Sequence, residues 1–137
     1  MTQKIINELT HQIIGGAIEV HKELGPGLLE SIYEKCLIHI LRKRGLRLVM
    51  QQKVPLFFQG LHLDCDLRFD LLVEDIIIVE IKAVEILIPI HEAQLLTYLK
   101  LLGKPKGILL NFNCTNIFKE GQKTFVTELF ARLQKGY

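Results

Sequence analysis

The chain has 137 residues, 49% of them hydrophobic and 23% charged, with three cysteines, no tryptophan and a net charge of +2. Such a chain is expected to form one globular domain with a core of its own, and the composition excludes disorder and a coiled coil. No apolar run reaches the roughly 18–20 residues of a membrane span, and the opening Met1-Thr2-Gln3-Lys4 leads into a pattern interrupted by Glu8 and His11, unlike a signal peptide. The lone cysteines Cys36, Cys65 and Cys114 make neither a disulfide framework nor a zinc knuckle, so a reduced, cytoplasmic setting is expected.

The first predicted element covers residues 5–24, where Ile6, Leu9, Ile13, Ala17, Val20 and Leu24 share one helical face. Gly25-Pro26-Gly27 breaks it. A second helix is predicted from Leu28 to Arg44, with Leu29, Ile32, Cys36, Leu37, Ile40 and Leu41 inward and Gly45 closing it. From Leu46 the period changes to two. Residues 46–49 and 54–58 read as strand, with Pro55 marking an edge or a bulge, and Gln59-Gly60 makes the turn. Next, Leu61, Leu63, Cys65, Leu67, Phe69 and Leu71 alternate with His62, Asp64, Asp66, Arg68 and Asp70, which predicts one continuous strand with an apolar and a polar face. Glu74-Asp75 turns the chain into Ile76–Lys82, whose apolar start marks a central strand. Pro89 opens a third helix over Ile90–Leu102, ended by Gly103. Residues 107–112 follow a helix and can pair parallel to an earlier strand, while 123–137 fits either an edge strand or a closing helix. The order predicts an α/β fold in a single domain over residues 1–137, its mixed β-sheet built as a three-strand meander plus a parallel strand and flanked by helices.

The near-neutral charge hides four unlike blocks. Residues 1–34 carry −3, 35–53 carry +6, 54–92 carry −6 and 93–137 carry +5. Solvated faces explain any one block. Together they also suit a metal-dependent enzyme acting on a polyanion, which needs an acidic centre and basic flanks. The run Arg42-Lys43-Arg44 closes a helix, where cations meet the dipole favourably, but Arg47 and Lys53 carry the patch further.

Glu80 and Lys82 are two apart on a strand and leave the same face, with Ile77, Val79 and Ile81 on the other. Charges amid such an apolar strand are costly unless paired or bound to something. Asp70, on the neighbouring strand, is expected beside Glu80. Two carboxylates there suit a hard divalent cation such as Mg²⁺, and Lys82 can orient water or offset phosphate charge. A structural salt bridge between Lys82 and one carboxylate is the plainer reading. Glu30 with Tyr33 on the second helix, and Gln94 with Tyr98 four apart on the third, supply further polar groups able to converge on one cleft. The five histidines show no metal-ligand spacing, and Ser31 and Thr97 lack a positioned His base.

With these motifs assembled, a family resemblance emerges. Gly27-Leu28-Leu29-Glu30-Ser31-Ile32-Tyr33 matches the Gly-x-x-Glu-x-x-Tyr signature of a small family, GxxExxY, that looks like a branch of the PD-(D/E)XK nuclease superfamily. Arg68-Phe69-Asp70-Leu71-Leu72-Val73, Ile78-Val79-Glu80-Ile81-Lys82 and His91-Glu92-Ala93-Gln94-Leu95-Leu96-Thr97-Tyr98 follow in the superfamily's order. The resemblance implies a restriction-endonuclease-like core and a nuclease acting on nucleic acid, with DNA favoured. It implies Mg²⁺ or Mn²⁺ held by Asp70, Glu80 and the backbone carbonyl of Ile81, with Lys82 as the catalytic lysine. Glu30 would line the site, and Gln94 and Tyr98 would contact the backbone of the nucleic acid or brace the site. Arg42, Lys43, Arg44, Arg47 and Lys53 would bind the polyanion. Phe69 stands where the superfamily often has Pro, at a position the alternation points away from the site. The alternatives are a non-catalytic nucleic-acid-binding or partner-docking module that keeps the fold, and a buried polar network without chemistry. No membrane partner is expected, and a homodimer is left open.

Overall fold

A computed structural model describes all residues 1–137. Helix α1 (Gln3–Leu24) starts where Thr2 accepts the Ile5 N–H on its hydroxyl, and ends at Gly25, whose φ of 65° is a conformation glycine adopts without strain. Helix α2 (Glu30–Lys43) crosses it closely. A Cβ on Gly16 would stand 3.2–3.3 Å from Leu37, Ile40 and Leu41 of α2, so the small residue sets the spacing of the pair.

The inward stripe of α2 is Tyr33, Leu37 and Leu41, with Cys36 and Ile40 half-buried. Leu29 is 72% exposed and Ile32 also faces solvent, contrary to expectation. Leu29 is the extended residue before the helix, so the helical period counts from Glu30 and brings Tyr33 inward in place of Ile32.

Strands β1 (Leu48–Met50), β4 (Leu71–Val73), β5 (Ile77–Lys82), β6 (Lys106–Asn111) and β7 (Gln122–Val126) form one sheet in the order β1-β4-β5-β6-β7. Strands β4 and β5 run antiparallel, and β5 and β6 are the parallel pair, from Ile77 opposite Lys106 to Lys82 opposite Asn111. Helix α3 (Pro89–Leu102) is the crossover between them. The tail contains both predicted alternatives in succession, since β7 is an edge strand and the short α5 (Glu128–Ala131) follows it. A one-turn α4 (Ile117–Glu120) precedes β7.

Two apolar layers enclose the sheet. Leu71, Val73, Ile77, Val79, Ile81, Ile108 and Leu110 face α1 and α2, while Leu72, Ile78 and Leu109 face Leu95, Tyr98 and Leu99 of α3. Burying each such side chain is worth roughly 1.5–3 kcal/mol, which makes β5 and β6 the most strongly held strands. Glu80 and Lys82 share the parity of Ile78 and therefore lie on the α3 side.

Between β1 and β4 the chain makes a long hairpin whose outer part is a separate two-stranded ribbon, β2 (Leu56–Phe58) and β3 (Leu61–Leu63), turning at Gln59-Gly60. Here the expected continuous strand over 61–71 breaks. Only Arg68 of residues 64–70 keeps a bridge, to Lys53, and the register shifts by two residues across Cys65 and Asp66. The alternation then breaks at Asp70, where the chain bends into β4. Phe69 packs with Leu72, Ile78 and Tyr98 on the α3 side, the side that carries Glu80, rather than pointing away from it.

Candidate active site

The strand pairing of β4 with β5 stops at Leu71 opposite Val79, and side chains complete what the backbone leaves open. The Ile81 N–H, which finds no backbone acceptor on that edge, donates to Asp70 Oδ2 at 2.7 Å. In return the Asp70 N–H donates to Glu80 Oε1 at 3.0 Å. Each carboxylate thus caps the backbone beside the other, a reciprocal brace that brings the two together at the end of β5. The bond from the Ile81 N–H onto the negative Asp70 carboxylate is charge-assisted and among the stronger ones in proteins. The N–H and C=O of one strand residue leave by the same edge, so the Ile81 carbonyl also faces Asp70.

Glu80 is only 5% exposed. Burial, then the negative charge of Asp70, push its carboxyl up to about 8, partly opposed by the Asp70 N–H and by Lys82. The plainer reading of Lys82 is not met: it makes no salt bridge and no side-chain hydrogen bond. Lys82 is half-buried on the Glu80 face, near enough to act on Glu80 without closing on it.

Two residues of this site were not singled out from the sequence. Gln51, in a left-handed turn after β1 (φ 51°), donates its amide to Asp70 Oδ1 and Glu34 Oε1, both at 3.0 Å, and its backbone N–H to the Asp70 carbonyl. Glu34 on α2 is half-buried; burial, Asp70 and Glu30 raise its carboxyl above the ordinary range while the Gln51 bond lowers it. Its position one turn after Glu30 was a visible signal. Nothing in the sequence marks Gln51, because its role comes from a backbone turn. Glu30 itself is exposed and makes no hydrogen bond, on the same helix face as Glu34.

From the other side, α3 presents Tyr98, 2% exposed, whose phenol is pushed up by burial and by the charges of Glu80 and Asp70. Gln94, one turn earlier, lies beside it and partly offsets that shift. His91, by contrast, turns its Nδ1 to the Ile88 N–H at 3.3 Å and serves as a cap of α3.

The end of β5 is fixed from behind. Phe112 donates its N–H to the Lys82 carbonyl at 2.9 Å. Buried Asn111, opposite Lys82, accepts the Val84 N–H at 3.1 Å and donates to the Val84 carbonyl at 2.9 Å. Tyr33 stacks on Phe112 with centroids 4.5 Å apart, donates its hydroxyl to the Gly25 carbonyl at 2.5 Å and accepts the Leu28 N–H. Tyr33 is therefore a scaffold residue that ties the Gly25-Pro26-Gly27 loop to the strand carrying Lys82. Tyr33→Phe is expected to cost about 1–2 kcal/mol in urea unfolding, since the stack survives and two hydrogen bonds do not. Unchanged stability would show that the loop is held by other contacts.

The five basic residues divide. Arg44 is committed to α1 through the Gln12 carbonyl at 2.6 Å and Glu19 at 3.3 Å, and Arg47 to Glu74 at 3.1 Å. Arg42 reaches Met50 Sδ, while Lys43 and Lys53 form no ion pair, so only these three keep their charge free of an acidic partner.

Whether the donor set suits a divalent cation can be judged from its chemistry. No three His, Cys, Asp or Glu side chains gather into a metal-holding cluster. Two convergent carboxylates and a carbonyl are a sparse, all-oxygen set, the kind Mg²⁺ uses while retaining water. The raised Glu80 carboxyl marks negative charge that a cation would relieve. The residues present fit such an ion.

A mixed α/β sheet, a helix-flanked parallel pair and an Asp, Glu, Lys trio at one strand end define a restriction-endonuclease-like protein. The model of the PD-(D/E)XK nuclease superfamily matches residues 7–125, and the chain belongs to that superfamily. Its proteins are usually nucleases that generally use divalent metals, which implies a nucleic-acid substrate. No curated protein and no solved structure matches the chain. No helix is long and apolar enough to cross a membrane.

Proposed function

We propose that this chain is a metal-dependent nuclease that hydrolyses phosphodiester bonds, with DNA favoured over RNA, and that Gly27, Glu30 and Tyr33 mark it as a member of the GxxExxY branch. The observation that carries this reading is the reciprocal brace of Asp70 and Glu80, with Lys82 free of any ion pair on the same face. Asp70, Glu80 and the Ile81 carbonyl would hold Mg²⁺ or Mn²⁺. When bound, such an ion polarises the phosphate and makes water a better nucleophile. Lys82 orients the attacking water and offsets the negative charge that grows on the phosphate oxygens. Glu34 and Glu30 line the α2 side, and Gln94 and Tyr98 brace the α3 side or meet the nucleic-acid backbone. Arg42, Lys43 and Lys53 attract the polyanion; Arg44 and Arg47 hold the scaffold through their internal partners.

The test compares wild type with Lys82→Ala on plasmid and single-stranded substrates in Mg²⁺, in Mn²⁺ and in EDTA. Cleavage is expected to vanish in EDTA and to fall by about 10²–10³ in the variant, the scale of losing one charge-stabilising group. Salt-sensitive binding with no cleavage and no response to EDTA would identify a binding module and end the enzyme reading.

A further inference from the structure

At the carboxyl ends of the parallel pair the chain leaves β5 and β6 in opposite directions. After Lys82 it passes to α3 on one face of the sheet, and after Asn111 it passes to α4, which packs against α1 on the other. Such a divergence opens a crevice beyond the strand ends, the usual place for ligands in open α/β sheets. Here it is a cleft of about 560 Å³, within the range of roughly 300–1,000 Å³ typical of small-ligand sites. It adjoins the Asp70, Glu80 and Lys82 site, since Asn111 in its lining stands opposite Lys82 and Glu85 follows Lys82 closely in the chain. Its walls are fixed. The buried Asn111 carboxamide accepts the Val84 and Asn113 N–H groups at 3.1 and 3.2 Å and donates to the Val84 carbonyl at 2.9 Å, so one side chain holds both departing segments. Pro26 forms a third wall, on the loop that the Tyr33 hydroxyl ties down through the Gly25 carbonyl. Glu85 and Glu120 line the cleft without an ion pair, and no Lys, Arg or His joins them. Asn113 and Thr115 add neutral polar groups, while Leu87 and the 72% exposed Ile86 add an apolar side.

We propose that this cleft receives one unpaired nucleobase of the substrate, guanine preferred, beside the phosphate at Asp70, Glu80 and Lys82. With the nuclease reading as its basis, the site narrows the substrate to single-stranded or locally opened nucleic acid, because a base inside a duplex keeps its Watson–Crick edge occupied. Carboxylates without cations repel phosphate, so the backbone passes at Lys82 and only a base enters. Guanine is the base whose Watson–Crick edge offers two adjacent donors, the N1–H and the N2 amino group, and one carboxylate accepts both. Ile86 and Leu87 supply the apolar surface against which sites of this kind hold the flat face of an extruded base. A cation is the other ligand that carboxylates attract, but Glu85, Glu120 and Cys114 do not gather into a metal-holding cluster.

Titration of the full chain with each of the four deoxynucleoside 5′-monophosphates in EDTA, followed by backbone amide NMR shifts, tests the cleft apart from cleavage. The guanine nucleotide is expected to bind about tenfold more tightly than the other three, the scale of one good bidentate pair. Its shifts should centre on residues 85–87 and 113–115. Glu85→Gln/Glu120→Gln, which alters two exposed side chains, is expected to lose that preference. Equal binding of the four nucleotides, shifts centred elsewhere, or an unchanged preference in the variant overturns the proposal. So does Mn²⁺ alone broadening residues 113–120 in wild type and not in the variant, which makes the two carboxylates a cation site. Cleavage of single-stranded oligonucleotides in Mg²⁺ and in Mn²⁺ separates this inference from the nuclease reading. A wild type that cuts no more often beside guanine than beside other bases overturns the cleft and leaves the nuclease. Guanine-selective binding without cleavage in either metal supports the cleft as a base site and ends the nuclease reading.

Discussion

Asp70→Asn is expected to lower metal-dependent cleavage by about 10³ or more while leaving the fold nearly as stable as wild type. The two halves of that outcome come from different atoms. An amide oxygen still accepts the Ile81 N–H, so the end of β5 stays closed, and only the exposed bond from Gln51 is lost, because the amide NH2 then faces that donor. What disappears is the negative charge, without which one carboxylate alone makes a poor site for a hard cation. Asp70→Ala is the control, because it also removes the acceptor and strands the Ile81 N–H, at a cost of about 1–3 kcal/mol. The Asn variant should therefore be inactive and stable, the Ala variant inactive and weakened. Cleavage by the Asn variant within tenfold of wild type would sink Asp70 as a metal ligand, and equal stability of the two variants would sink its role as a strand-end cap.

The double duty of Asp70 explains why some of the site was legible in the sequence and some was not. Glu80 and Lys82 sit on a strand long and apolar enough for its alternation to survive folding, and their shared face follows from parity alone. The three helices, the parallel strand and the turn at Gln59-Gly60 follow from period and punctuation in the same way. Asp70 lies at a break in the pattern. Its proximity to Glu80 was expected from the shortness of the connection, and that held, but the continuous alternation drawn through 61–71 did not, because the pairing slips around Cys65 and Asp66 and the chain bends again at Asp70. The bend at Asp70 puts Phe69 on the Glu80 side while Leu71 faces the other. Gln51 owes its place to a left-handed backbone turn, a conformation that its residue type does not announce. Tyr33 belongs to a recognisable motif, yet the motif does not say whether its hydroxyl works on substrate or on a loop; the Gly25 carbonyl answers that it works on the loop. The basic block likewise reads as one patch in sequence and divides only when Glu19 and Glu74, distant along the chain, claim Arg44 and Arg47.

Glu80→Gln is expected to stabilise the protein in EDTA at alkaline pH, although it removes a residue of the site. In the folded chain burial and the neighbouring Asp70 push the Glu80 carboxyl up to about 8, against an ordinary value of 4.5 in the unfolded chain. Between those values the folded state holds a proton that the unfolded state has lost, so stability declines as pH rises. Glu80's favourable contribution is complete below 4.5 and is lost as pH passes about 8, where folding must carry a buried charge beside Asp70. The cost is on the order of 5 kcal/mol. A glutamine keeps an oxygen for the Asp70 N–H and never ionises, so its stability should lack this decline. Urea unfolding in EDTA at pH 5 and pH 9 is the measurement. The two proteins should nearly coincide at pH 5, with the variant ahead by a few kcal/mol at pH 9. Adding Mg²⁺ at pH 9 should raise wild type and leave the variant almost unmoved, since occupation of the site needs the ionised carboxylate. A gap between the two proteins that is the same at both pH values would mean that Glu80 is not a buried, strained acid, and an equal response of both to Mg²⁺ would place the ion elsewhere.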